Sequence, residues 1–209
     1  MDQATLFVIA EVFGFVGGIL SMVQAIPQAW RIYRMNTGYG VSLSAWLLML
    51  YRMSAWAGYG VLVALPSVFV TNIIGALTSA LVVVALLEQR HKAWLWILPT
   101  AIAVLVLMLV IPNWLIWFIL LGFTLSRLPQ LFVSIMNMRR GKVTAVSISA
   151  IVVGTASMAC WAVYGWIHQD PLVLWTTLLA AALMLSIGGL ELYTNKHAER
   201  IAAQMKLAE

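Results

Sequence analysis

Of 209 residues only 12 are Lys or Arg and 7 are Asp or Glu, a charged fraction of 9% against 63% hydrophobic, where ordinary soluble domains carry roughly 25% charge. That composition excludes an ordinary soluble domain, and a lone cysteine, Cys160, excludes disulfide staples and Cys-rich metal sites. The net charge of +5 lies in short polar islands and not on one basic face, so nucleic-acid binding is not suggested.

Between the islands lie apolar runs of about 18 to 25 residues, the length that spans a hydrocarbon core about 30 Å thick. The first, Leu6 to Ile26, has no basic residue before it and no small-residue cleavage pattern after it, so it is read as a retained helix and not as a secretory signal. The others follow at Ser42 to Val63, Val68 to Leu87, Ala93 to Val110, Trp114 to Phe132, Ser147 to Ile167 and Pro171 to Leu190. These runs are apolar on all sides, whereas helices of a soluble bundle need polar outer faces. Seven membrane spans leave no room for a soluble catalytic domain.

Short loops rich in Lys and Arg stay cytoplasmic. Arg31 and Arg34 follow span one, Arg90 and Lys92 span three, Arg139, Arg140 and Lys142 span five, and Lys196, Arg200 and Lys206 span seven. The alternate loops, 64–67, 111–113 and 168–170, contain no Lys or Arg. The amino terminus is therefore expected outside and the carboxyl terminus in the cytoplasm, which suits a cell (inner or plasma) membrane.

Sliding the chain by 105 positions superimposes Val41-Ser42-Leu43-Ser44-Ala45 on Val146-Ser147-Ile148-Ser149-Ala150, Trp56-Ala57-Gly58-Tyr59-Gly60 on Trp161-Ala162-Val163-Tyr164-Gly165, and Pro66 on Pro171. Val41 to Ala76 holds 13 identities in 36 positions, Trp, Tyr, Gly and Pro among them. Apolar composition alone seldom aligns those residue types. With three residues of loop difference, Pro27-Gln28 falls on Pro129-Gln130. Three spans reverse the chain's side, so a second copy with the same orientation needs one extra crossing. The predicted fold is all-α, seven transmembrane helices in two parallel three-helix bundles joined by one linker helix (3+1+3). Its units are residues 1–87, the linker 88–112, residues 113–193 and a cytoplasmic tail 194–209. Parallel repeats of this kind are a transporter plan with the substrate site near the midplane.

Proline removes a backbone hydrogen bond and localises bending. The recurrence of Pro27-Gln28 and Pro129-Gln130 at matching span ends marks them as hinges, with the Gln side chains available to freed backbone groups. Arg52 falls near the centre of span two, one turn before Trp56 and on its face. A charge at that depth marks a functional site or a buried pair; a substrate contact and an ion pair with Glu11 of span one both remain open. Gly14 and Gly18 suit close helix packing. Trp30, Trp94, Trp96, Trp114, Trp117, Trp166 and Trp175 lie near span ends, as an interfacial belt would.

Two Pro-Gln pairs, each followed by a Val-Ser segment, a Trp-x-x-Tyr-Gly signature and a Pro ten residues after the Trp, resemble the PQ-loop superfamily, and within it the SWEET and SemiSWEET sugar transporters. The resemblance covers about 160 residues, all but span four and the tails. It implies that Trp56 and Asn72 of the first half and Trp161 and Thr177 of the second face a central cavity. The second half departs from the family's Asn with a threonine. The resemblance also implies that the position of Arg52, whose repeat mate is Ser157, borders the substrate, and that Tyr59 and Tyr164 belong to an extracellular gate. Indole faces that stack on a sugar, with a few hydrogen-bonding groups, suit such a pocket.

The function so implied is facilitated diffusion of a small polar solute, a sugar first, by alternating access between two three-helix bundles. The alternative is a PQ-loop carrier of an organic anion, amino acid or other small metabolite, with Arg52 as the anion contact and proton coupling open; a non-transporting seven-span receptor ranks lower. No Walker-type loop is present. Paired Asp, Ser with His, or a His/Glu cluster at membrane depth is missing, with His91, His168 and His197 expected in loops, so no enzyme, cofactor or metal is expected. The expected partners are the small-molecule substrate and the lipid bilayer, without nucleic acid; a homo-oligomer stays open.

Overall fold

The computed structural model of the chain describes residues 2–22, 42–87, 89–140 and 148–208. Its elements are the helices α1 (Gln3–Met22), α2 (Leu43–Leu62), α3 (Pro66–Leu86), α4 (Arg90–Val110), α5 (Asn113–Leu125), α6 (Leu128–Arg140), α7 (Ile148–Ile167) and α8 (Pro171–Ala208). By length and composition, Gln3–Met22, Pro66–Leu86, His91–Val110, Asn113–Arg139 and Pro171–Asn195 are long and apolar enough to cross a membrane. Helix α7 adds the shorter apolar stretch Ile151–Ile167. Helix α2 has the length, 20 residues, but its apolar character is diluted by Arg52, two Trp, two Tyr and two Gly, of which Arg52 and Trp56 reach the site described below.

Span five is not one rod. Helix α5 ends at Leu125, Ser126 and Arg127 form a turn, and α6 restarts at Leu128 with Pro129 as its second residue. Pro129 has no N–H to continue the ladder, and Gln130 N instead reaches Arg127 O at 3.1 Å. Pro27 and Gln28 lie outside the described residues. Helix α8 runs unbroken from Pro171 to Ala208, past residue 194 where the cytoplasmic tail is expected to begin, because nothing after Gly189 is a helix breaker.

Each half places its third helix centrally. Helix α3 packs on α1 and α2, and α8 packs on α5, α6 and α7. The halves also exchange helices, α1 against α7 and α2 against α5, while α4 lies on α2 and α3 of the first half. Alanine, glycine and serine on α1, α2 and α3 allow the close approach: a Cβ on Gly14 would meet Ser67 and Tyr164, and one on Gly18 would meet Thr71. One core joins both halves through Ala10, Ala55, Tyr59, Val68, Leu120, Tyr164 and Leu172; a second, with Leu50, Ala80, Val83 and Ile97, seals α2, α3 and α4. Phe118, Leu95, Val110, Trp114 and Trp166 are outward and exposed, the face that lipid covers in a multi-pass protein.

The two helical hairpins repeat each other atom for atom in their turns. Ala64 and Gln169, 105 positions apart, both adopt positive φ, 54° and 53°. Leu65 N reaches Gly60 O at 2.8 Å and Asp170 N reaches Gly165 O at 2.9 Å, the six-to-one bond of a left-handed helix cap. Proline opens the next helix in both. Gly60 and Gly165 are required by close approach, since added Cβ atoms would lie 2.6 Å from Phe69 N and 2.8 Å from Leu174 N. Gly60→Ala and Gly165→Ala should each cost about 1–3 kcal/mol through backbone displacement, read as a lower thermal unfolding midpoint in detergent; an unchanged midpoint in both would contradict the packing.

Candidate functional site

Between the halves lies a chamber of about 180 Å³ walled by α1, α2, α3, α7, α8 and the α5–α6 break. It contains Trp56 and Trp161, each one residue of a repeat pair, together with Asn72, Thr177 and Arg52. Five of the six residues expected around a substrate thus meet at one cavity. Ser157 does not line it: its hydroxyl is buried, donates to Gly17 O at 2.8 Å and lies 2.7 Å from Ser21 Oγ, so it fastens α7 to α1. The physical reason is the exchange of helices between halves, which turns that face of α7 onto α1 and leaves the matching face of α2 on the chamber.

The wall is richer in hydroxyls than the sequence reading anticipated. Thr71 and Thr176, repeat mates, line the chamber and donate to the carbonyls four residues back, Ser67 O and Leu172 O, both at 2.6 Å. Asn72 behaves likewise through Nδ2, 2.8 Å from Val68 O. Its Oδ1 is thereby left as the acceptor for a solute hydroxyl. Ser21, Thr78, Ser79 and Thr124 add further hydroxyls, and Met22, Met49, Met53, Met158 and Met184 supply an adaptable apolar part. The identity of Thr71 and Thr176 in the 105-residue alignment was the available signal for that pair. The methionines carry no signal in an apolar chain.

Among the described residues, Arg52 and Arg127 are the charged ones of the wall, and no carboxylate of those residues lines it. Arg52 Nη2 sits 2.8 Å from Met49 Sδ. The ion pair between Arg52 and Glu11 does not form. Glu11 is engaged one layer away: Oε2 accepts from Ser67 N at 2.8 Å, and Oε1 accepts from Tyr164 Oη at 3.0 Å and lies 3.1 Å from His168 Nε2. Helix α3 has no side-chain cap of its own at Leu65, so Glu11 of α1 caps it, where the helix dipole favours an anion. His168, expected in a loop, therefore belongs to a largely buried cluster, its ring tilted at 51° to that of Tyr164 with centroids 4.5 Å apart.

The two tyrosines pack on the chamber's tryptophans on the side of the Ala64 and Gln169 turns. Tyr59 of the first half donates to Asp170 Oδ2 of the second at 2.7 Å. Tyr164 of the second half donates to Glu11 of the first. Asp170 Oδ1 in turn caps α8 by accepting from Val173 N at 2.9 Å. Each third helix is thus capped by a carboxylate that also takes the tyrosine of the opposite half. Trp56 packs edge-to-face on Tyr59 and Trp161 on Tyr164, centroids 5.7 and 5.3 Å apart, so each indole of the chamber leans on a tie. Both carboxylates are 111 and 153 residues from their tyrosines, a separation that a motif search does not bridge.

The fold and chamber define a multi-pass membrane protein of the two-repeat transporter type. The PQ loop repeat family matches residues 9–69. The sugar transporter SemiSWEET of Vibrio sp. (strain N418) is 30% identical over 76 residues, 35% of this chain and 78% of that one. The 3.7 Å structure of a eukaryotic SWEET transporter shares the fold with a TM-score of 0.71 at 16% identity, over 92% of this chain and 99% of that one. The chain belongs to the PQ-loop family of SWEET and SemiSWEET transporters, a family of carriers and not of enzymes.

Proposed function

We propose that this chain carries a small polar solute, a sugar in the first instance, across a cell membrane by facilitated diffusion. Residues 1–87 and 113–193 act as the two rocking units, and 88–112 as the linker between them. The amino terminus faces outside and the carboxyl terminus the cytoplasm, as the Lys and Arg distribution favours. The observation that carries the reading is the chamber between two like-folded halves, with a tryptophan of each half and several hydrogen-bonding groups on its wall. Trp56 and Trp161 offer flat apolar faces to a sugar ring, and Asn72, Thr177 and the other hydroxyls address its hydroxyl groups.

Alternating access requires that the ties on one side break while the other side closes. Tyr59 and Tyr164 serve as the gate on the extracellular side, and Pro129-Gln130 at the α5–α6 break, with its counterpart Pro27-Gln28, as the hinges. In sealed liposomes the protein is expected to support counterflow of labelled glucose that persists when the proton gradient is collapsed. Asn72→Ala and Trp161→Ala should each slow it by about tenfold, the loss of roughly 1.4 kcal/mol of binding. Absence of counterflow with every solute offered would refute a carrier. A second reading rests on the Glu11–His168 contact at 3.1 Å, a titratable pair beside the gate: accumulation that depends on a proton gradient would replace uniport by proton coupling.

A further inference from the structure

We propose that the solute this chamber takes is anionic, a small polyol bearing an oxyanion group that is held between Arg52 of the first half and Arg127 of the second. The inference rests on the carrier reading and narrows its substrate class. Both arginines line the chamber, one from the middle of α2 and the other from the turn between α5 and α6.

Among the described residues, no counter-charge for this pair lies on the wall. Glu11 is committed to Ser67, Tyr164 and His168, Asp170 to Tyr59 and Val173, and Glu191 accepts from Ser134 Oγ at 2.6 Å. Asp2 caps Thr5 at the exposed start of α1. Residues 23–41 and 141–147 contain no Asp or Glu, and the other acids, Glu88, Glu199 and Glu209, fall after α3 and at the far end of the chain. Two guanidinium groups at membrane depth are costly unless neutralised, and the neutral sugar that Trp56, Asn72 and Trp161 would suit brings no charge. An oxyanion does, and the planar fork of Arg matches a carboxylate or phosphate in two parallel bonds.

The placement also connects binding to movement. A ligand shifts a conformational equilibrium only by its differential affinity for the two states. An anion bridging α2 of one half and the break of span five in the other favours whichever state brings the two arginines together. A neutral solute would leave their repulsion in place. The second-half mate of Arg52 is Ser157, which is bonded to α1, so the cation of the second half is supplied from a different element.

The test uses the full-length protein in lipid nanodiscs at low ionic strength, with glucose, glucuronate, glucose 6-phosphate and potassium chloride at matched ionic strength as probes, read by calorimetric titration. At least one of the two acidic probes is expected to bind about tenfold or more tightly than glucose, as one charge-assisted hydrogen bond would give; which of them binds tells a carboxylate from a phosphate. Arg52→Gln and Arg127→Gln should each abolish that preference, bringing the affinity for the acidic probe down to within about threefold of the same variant's affinity for glucose. Should Arg52→Gln fail to fold, Arg127→Gln and the parent panel still decide. Glucose bound as tightly as both acids, no binding of either acid, a preference that survives both substitutions, or chloride competing as well as the acids would each overturn the proposal. Counterflow in liposomes separates the two readings: acid binding without transport of any probe leaves the anion site and removes the carrier, whereas glucose counterflow without acid preference does the reverse.

Discussion

Glu11→Leu is expected to destabilise the protein by roughly 3–5 kcal/mol, the range for removing one partner of a buried charged network. The substitution strands three groups at once: Ser67 N–H at the start of α3, the Tyr164 hydroxyl and His168 Nε2. A buried donor without an acceptor costs about 1–3 kcal/mol, and the leucine side chain regains only about 2 kcal/mol from its own burial, so the polar loss wins. Glu11→Gln separates charge from shape. Its remaining oxygen can still accept from Ser67 N, and the amide must face Tyr164 and His168 with donors. A smaller loss of about 1–2 kcal/mol follows. Thermal and denaturant unfolding in detergent measure both. Equal losses for Leu and Gln would mean that the carboxylate merely fills space.

The placement of Glu11 shows where reading from sequence stops. Hydropathy and the 105-residue repeat located the spans and the two halves because those signals are written along the chain: apolar length is set by bilayer thickness, and the repeated Trp, Tyr, Gly and Pro align without any structure. The resemblance to the PQ-loop superfamily, carried over motif by motif, implied a common cavity for Trp56, Trp161, Asn72 and Thr177, and all four line one chamber. What it missed follows from one geometric fact, the exchange of helices between halves. Packing of α1 on α7 turns Ser157 onto Gly17 instead of toward the cavity. The same packing carries Glu11 to Tyr164 and His168, leaving Arg52 without the partner that charge balance alone would have assigned. Contacts between halves have no period, so neither spacing nor residue type announces them. The break at Ser126–Arg127 was half legible: Pro129 marked it, but its position beside the chamber, which makes Arg127 a wall residue, depends on how span five crosses α2 and α8.

Tyr59→Phe and Tyr164→Phe together are expected to open the turn side of the chamber. Each removes one hydroxyl bond across the halves, to Asp170 or to Glu11, while retaining the ring that packs on Trp56 or Trp161. A hydrogen bond to a charged acceptor contributes about 1.5–3 kcal/mol. If both ties exist only when this side is closed, their loss shifts the balance by roughly 3–6 kcal/mol. Inverting a 99:1 population takes about 5.5 kcal/mol and bringing it to even about half of that, so the double variant should carry a strongly closed preference past the even point, and either single variant should fall short of inversion. The readout is labelling of Val68→Cys, a fully buried chamber position, by a membrane-impermeant maleimide in a Cys160→Ala background. Labelling from the turn side should rise about tenfold or more in each single variant and multiply in the double, because Asp170 keeps Val173 N and Glu11 keeps Ser67 N whichever tyrosine is lost. An unchanged rate in the double variant would mean that the seal is made by the packed rings, and that the carboxylates serve only to cap α3 and α8.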